Sequence, residues 1–156
     1  MNHDPAVPLL CLLFRAEIKL ANAQELGETP QGRRRIIPIT GGTFEGPRMC
    51  GEVMPGGADW QLVHPDGAAI LDARYTLRTH DGGLIYVNNR GLRHGPPDVL
   101  ARIARGDEVD PAQYYFRTTP VFETGAANYL WLNTLIAIAS GMRRRDAVVL
   151  DVYKVL

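Results

Sequence analysis

Residues 71–91, LDARYTLRTHDGGLIYVNNRG, decide how the chain is read. In the first arm, residues 70–79, Leu71, Ala73, Tyr75 and Leu77 share one side, and Asp72, Arg74, Thr76 and Arg78 share the other. The second arm, residues 84–90, sets Leu84, Tyr86, Asn88 and Arg90 against Ile85, Val87 and Asn89. Successive side chains of a strand point to opposite faces, so a period of two predicts two β-strands. Between them stands Asp81-Gly82-Gly83, and an Asp-Gly pair supplies the positive φ angles that tight hairpin turns require. The stretch therefore reads as an antiparallel hairpin.

Outward from it, the same pattern recurs. Toward the N-terminus, Phe14, Ala16, Ile18 and Leu20 alternate with Leu13, Arg15, Glu17 and Lys19, which predicts a half-buried strand over residues 9–20. Residues 21–35 are expected to be a polar connection, with Arg33-Arg34-Arg35 as a solvated loop end or an anion site. Residues 36–39 form a short strand whose Pro38 suggests an edge, and residues 41–46 a glycine bend. That bend resembles a phosphate loop only superficially, because no Lys-Ser/Thr pair follows it. Residues 48–54 and 59–63 are further strands, and His64-Pro65-Asp66-Gly67 turns the chain into the hairpin.

Toward the C-terminus, residues 92–110 hold the one helical signal. Pro96-Pro97-Asp98 starts it, Val99, Leu100 and Ile103 give an apolar side, and Gly106 stops it, as a surface lid or connector. Residues 114–119 read as a strand that Pro120 interrupts and that residues 121–124 resume. Residues 128–139, NYLWLNTLIAIA, alternate well enough to be expected as a strand, and residues 147–155 close the chain with another. Eight to ten strands and one short helix predict an all-β fold, a single closed antiparallel β-barrel over residues 1–156. Its core spans residues 7–155, with residues 1–6 flexible. Closure is favoured because long strands in one small domain otherwise leave edges open.

A formal net charge of +0 argues against a protein built to grip nucleic acid or an anionic membrane. Residues 7–14 are apolar, but Arg15, Glu17 and Lys19 follow at once, and a span needs about 20 apolar residues. The protein is therefore expected to be cytoplasmic. Cys11 and Cys50 are too few for a disulfide framework, and His3, His64, His80 and His94 form no ligand spacing, so no metal is expected.

Four segments, GEVMPGGADWQ, LDARYTLRTHDGGLIYVNNRG, YYFRTTPVFETG and YLWLNTLIAIASG, stand in an order and spacing that resemble one bacterial family. It is domain of unknown function 3237, also called uncharacterised protein family 0311, and the resemblance runs from about Phe14 to Val155. It implies a small closed barrel similar to the lipocalin and allene-oxide-cyclase barrels. Such barrels include enzymes and ligand binders alike, so the resemblance carries no specific chemistry.

The sequence leaves two ways to assign the lumen. The wholly apolar faces (Leu71, Tyr75, Leu77; Ile85, Val87; Leu130, Leu132, Ile136) would give a filled core. The opposite faces combine aromatic and hydrogen-bonding groups as a pocket does: Tyr86 with Asn88, and Trp131 with Asn133. Trp60 is a further wall residue, more often found in a core. Arg74 and Arg117 are placed to fix an anionic oxygen or to pair with Asp72 or Glu123. Glu123 and Asp59 are the expected general acid/base groups, against structural roles as a strand tie and a turn cap.

From these residues the expected function is a cofactor-independent isomerase, cyclase or lyase acting on a small hydrophobic acid, phenol or enone. The alternatives are a lipocalin-like binder and a filled barrel that forms a homodimer. The expected partner is a small-molecule ligand or substrate.

Overall fold

The period-two pattern becomes ten antiparallel strands in the computed structural model, which describes residue 1 and residues 3–156. They are β1 (Leu10–Leu20), β2 (Gln24–Thr29), β3 (Gly32–Glu45), β4 (Cys50–Val53) and β5 (Ala58–Val63) in the first half. The second half holds β6 (Ala69–Thr79), β7 (Leu84–His94), β8 (Tyr115–Glu123), β9 (Ala137–Arg143) and β10 (Ala147–Val155). One α-helix, α1 (Pro97–Ala104), follows β7, and a 3-10 helix, Ala127–Thr134, follows β8. The lead expected to be flexible, residues 1–6, includes position 2, which lies outside the described residues. Among the described residues no helix is long and apolar enough to cross a membrane.

The wall runs β1-β10-β9-β8-β7-β6, then β4 and β5, then β3, which pairs back onto β1 and closes the barrel. β4 and β5 share one place in this wall. β5 joins residues 33–38 of β3 to β6 near the chain's mouth end, while β4 joins residues 43–45 to residues 77–79 below it. A seam at Pro55-Gly56-Gly57 separates them, held by backbone bonds between Ile39 and Gly57 and from Gly56 to Ile39. β2 lies outside the closed wall and pairs only with β3.

Four local expectations are corrected. Residues 21–35 are not one connection but contain β2 and the start of β3; both strands of this flap are polar and solvated, which imitates a loop in sequence. The glycines expected as a bend lie inside β3, where it changes partners. Gly42 has φ +138, and a Cβ there would run into the Glu17 carbonyl oxygen, so the glycine lets β1 and β3 approach. Pro120 does not interrupt β8, because β9 pairs only with Arg117 and Thr118 and leaves Pro120 at a free edge. Residues 127–134 form the 3-10 helix rather than a strand: Tyr129, Leu132 and Leu135 recur every third residue and turn inward together. Side chains also occupy the backbone there, with Asn133 accepting from Thr124 N and donating to Thr124 O and Leu130 O.

The hairpin at the centre is as expected, with β6 and β7 in register from Ala69↔Arg93 to Arg78↔Leu84 and Gly82 at φ +87 in the turn. Its apolar face points into the barrel: Leu71, Tyr75, Leu77, Ile85 and Val87 are all buried. The lower half of the lumen is solid. Phe14 meets Phe44 and Phe122 edge-on, with ring centroids 5.4 and 6.1 Å apart, and Leu132 of the 3-10 helix, 1% exposed, seals the floor. Burying one such leucine contributes about 1.5–3 kcal/mol. The Tyr129 hydroxyl donates to Asp81 Oδ1 at 2.9 Å, tying this floor to the β6–β7 turn. The other end is open, and α1 borders it.

Candidate functional site

Above the packed floor the inward-facing rows continue toward the mouth, and there they turn polar. β5 contributes Asp59 and Gln61, β7 contributes Asn89 and Arg93, β8 contributes Thr118, and β9 contributes Arg143. These residues line an inner chamber of ≈ 50 Å³ whose remaining wall is largely apolar, including Ile37, Ile39, Leu71 and Phe116. The lumen is thus part filled and part open.

Asp59 owes its position to a gap in the ladder. Asp59 pairs with Ala73 and Leu62 with Ile70, and between these two pairs the Asp59 carboxylate takes the Asp72 N–H on its Oδ1 at 2.9 Å. Its Oδ2 accepts from Gln61 Nε2 at 3.2 Å. Gln61, 0% exposed, accepts in turn from Arg35 Nη1 at 3.0 Å, and Arg35 pairs with Glu25 at 2.8 Å. Burial pushes the Asp59 carboxyl above its ordinary range, against the lowering pull of the Asp72 amide, Gln61 and Arg93. Among the described residues it is the one carboxylate lining the chamber.

Across the floor of the chamber, Asp59 is in register with Ala73, and Ala73 with Asn89. Two strand spacings, roughly 9.5 Å, therefore separate Asp59 from Asn89 over a residue with only a methyl group. Asn89 and Thr118, each 3% exposed, leave Oδ1 and Oγ1 without a hydrogen-bond partner. Buried polar atoms are ordinarily bonded, so this pair marks a place where a ligand or solvent atom fits. Tyr75 lies beside them, its hydroxyl pKa pushed up by burial with the Asn89 side chain acting the other way. Arg93 packs its guanidinium 5.8 Å from the Phe116 ring centre and makes no ion pair among the described residues. Burial lowers its pKa to about 10, with Arg143 and Arg35 adding to the drop and Asp59 opposing it.

Of the residues singled out from sequence, the lumen contains Asp59 alone. Arg74 stands on the outer wall, 3.5 Å from Asp72 and 5.9 Å from the Trp60 ring, and Trp60 itself faces outward. Arg117 is also outside; it donates to Phe116 O and lies 5.5 Å from the Tyr115 ring. Glu123 and Tyr86 are cross-strand neighbours in a shallow outer hollow, and Asn88 is on the same outer face, half-buried with Oδ1 unpartnered. Trp131 is stacked by Arg48 at 4.0 Å, and Asn133 holds the 3-10 helix together. The sequence left two faces open for the lumen. Strand parity gives it the apolar rows and puts six of these residues outside, while Trp131 and Asn133 are carried away on the 3-10 helix. The polar residues of the lumen lie in the mouth-side half of the inward rows.

That rule could have found them. Ile85-Val87-Asn89-Gly91-Arg93, read in steps of two, ends in Asn89 and Arg93, and Ala137-Ala139-Gly141-Arg143 ends in Arg143. Among the described residues no group of three or more His, Cys, Asp or Glu side chains is arranged to hold a metal ion.

Residues 8–155 match the family model described as protein of unknown function (DUF3237). A UPF0311 protein of Rhodopseudomonas palustris is 43% identical over 144 residues, covering 92% of this chain and 94% of the relative. Among solved structures, a β-barrel-like protein of Acinetobacter baumannii aligns with a TM-score of 0.88 at 46% identity, covering 99% of this chain and 100% of the other. A protein of unknown function from R. palustris aligns at a TM-score of 0.92 and 40% identity, covering 98% of this chain and 100% of the other. More distantly, the hydroalkoxylation enzyme phnH of Penicillium herquei is 26% identical over 137 residues, covering 88% of this chain and 76% of that one. An enzyme structure from P. herquei shares the fold at a TM-score of 0.74 and 22% identity, each chain being covered completely.

Proposed function

The chain belongs to the DUF3237 family, and on that premise we propose that its barrel is a small-molecule enzyme whose own side chains move protons, as isomerases, cyclases and lyases do. The observation that carries this is Asp59, among the described residues the one carboxylate of the ≈ 50 Å³ inner chamber, raised toward its acid form by burial where that chamber meets the wider mouth. A carboxyl group whose pKa is brought nearer the working pH gives and takes protons efficiently. Asn89, beyond Ala73 on β7, and Thr118 on the next strand supply the unpartnered atoms, an accepting amide oxygen and a hydroxyl, that hold a hydroxyl of the ligand.

In one turnover Asp59 passes its proton to a carbon of an unsaturated ligand. A hydroxyl of the same ligand closes on the neighbouring carbon, and the proton it releases restores Asp59. The ligand is rearranged with no atom gained or lost. The named activity of the distant relative supports this chemistry, since hydroalkoxylation adds O–H across a carbon–carbon double bond. Asp59 also satisfies the Asp72 amide, so the informative variant is asparagine, which keeps an oxygen for that N–H.

Wild type and Asp59→Asn are incubated in D2O with small enones, alkenyl phenols and unsaturated acids, and carbon-bound deuterium or ring closure is read by NMR. Thermal unfolding with the same compounds reports binding. The variant is expected to bind as the wild type does and to lose about 10²–10⁴-fold in turnover. Equal turnover in both proteins rejects the proposal; binding with no turnover in either makes the barrel a ligand carrier.

A further inference from the structure

Outside the inner chamber the lumen widens into a mouth of ≈ 530 Å³, and its lining is electrically one-sided. Arg33, Arg35, Arg93, Arg105, Arg143 and Arg145 line it, and no carboxylate among the described residues does. The whole chain has a formal net charge of +0, so acids and arginines have been separated in space. Only Arg35 and Arg105 among these six make ion pairs within the described residues, with Glu25 and Asp107. Arg143 spends one nitrogen on the carbonyls of Arg144 and Ala147, and its pKa is lowered by burial first and by Arg35 next. Arg93, at the boundary between mouth and chamber, makes no ion pair among the described residues, and Asp59 in the chamber is the carboxylate that acts on it.

Cations gathered in a concave, partly desolvated space repel one another unless an anion joins them, and such a space focuses its potential on anionic ligands. Guanidinium groups meet planar carboxylates with paired hydrogen bonds. Arg93 also lines the chamber, whose wall is largely apolar, with Ile37, Ile39 and Phe116, around the polar Asp59, Gln61, Asn89 and Thr118. We infer that the mouth binds the carboxylate of a small organic acid on Arg93 and its neighbours, with the acid's unsaturated or aromatic end directed toward the chamber. This names the substrate class of the proton-transfer site and rests on that lumen being where the chemistry occurs.

Binding is tested apart from turnover. Benzoate and crotonate are compared with benzamide and crotonamide, and with inorganic phosphate, by thermal unfolding and calorimetry at constant ionic strength. Wild type is expected to bind each acid at least tenfold more tightly than its amide. Arg93→Gln abolishes that preference, Arg93→Lys keeps part of it, and Arg145→Gln, on the exposed rim, weakens it less. Acids that bind no better than amides, or a preference that survives Arg93→Gln in a folded protein, overturn the inference. Phosphate binding as tightly as benzoate overturns the carboxylate assignment. Asp59→Asn separates the two proposals: it retains the preference for acids, and unchanged turnover in it refutes the proton-transfer role alone.

Discussion

At the floor of the barrel Asp81 sits exposed on the β6–β7 turn, and at the mouth end Asp59 is enclosed by strands. Asp81 takes hydrogen bonds from Thr79 Oγ1 at 2.5 Å, Tyr129 at 2.9 Å and Asn128 at 3.2 Å. Those donors, Thr79 first, hold its carboxyl below the ordinary range. Asp59 has two donors of its own, yet burial outweighs them and its carboxyl moves up. The difference teaches what each end is for. Donors arranged in water fix a charge and clamp a turn to the 3-10 helix, whereas withdrawal of water favours the protonated carboxyl.

The comparison breaks most visibly at the floor. Leu132→Ala removes the sealing side chain and is expected to cost about 2–5 kcal/mol in urea unfolding, with the acid preference at the mouth kept in the folded fraction. A cost below about 1 kcal/mol shows that the floor is not what holds the barrel.

A smaller effect separates the two aspartates by pH. The folded pKa of Asp59 lies above its unfolded value, so its contribution to stability is full below the ordinary carboxylate range and declines as pH rises through the folded value. Asp59→Asn removes that decline. As pH rises from the ordinary carboxylate range toward the raised folded value of Asp59, which faces Arg93, Arg143, Arg35, Tyr75 and Asp72, the variant therefore gains on the wild type by at most about 1.4 kcal/mol per pH unit. A stability difference that is flat with pH, measured by chemical unfolding, contradicts a raised pKa at Asp59.

The smallest effect has the opposite sign. The depressed pKa of Asp81 gives stability that is present above the ordinary range and lost as pH falls. Tyr129→Phe lowers the unfolding midpoint slightly at neutral pH, and the deficit shrinks in acid. A deficit that grows in acid contradicts the clamp.

Much of the architecture was legible in residues 71–91, because period two and an Asp-Gly turn leave few alternatives, and the buried rows Leu71-Tyr75-Leu77 and Ile85-Val87 were readable from the same pattern. The site was less legible. Asn88 and Asn89 are adjacent and chemically identical, and a step of one residue decides which faces the lumen. Tyr86, Trp131 and Glu123 looked like pocket residues because aromatic and polar groups mix there, yet a barrel without an outer helical layer leaves such groups on its outer surface. The run at residues 128–139 satisfies both a two-residue and a three-residue period. Only the short β8–β9 pairing and the Asn133 bonds to backbone decide for the helix.

The seam at Pro55-Gly56-Gly57 gives this wall an evolutionary latitude that an unbroken strand lacks. β5 carries Asp59 and Gln61, and β4, below it, borders the sealed floor, so the two panels pair with separate stretches of β3 and β6. A lineage can rewrite the upper panel, and with it the polar lining of the chamber, while inheriting the lower one intact. Descendants of one such ancestor would share a shell and differ in what the shell does.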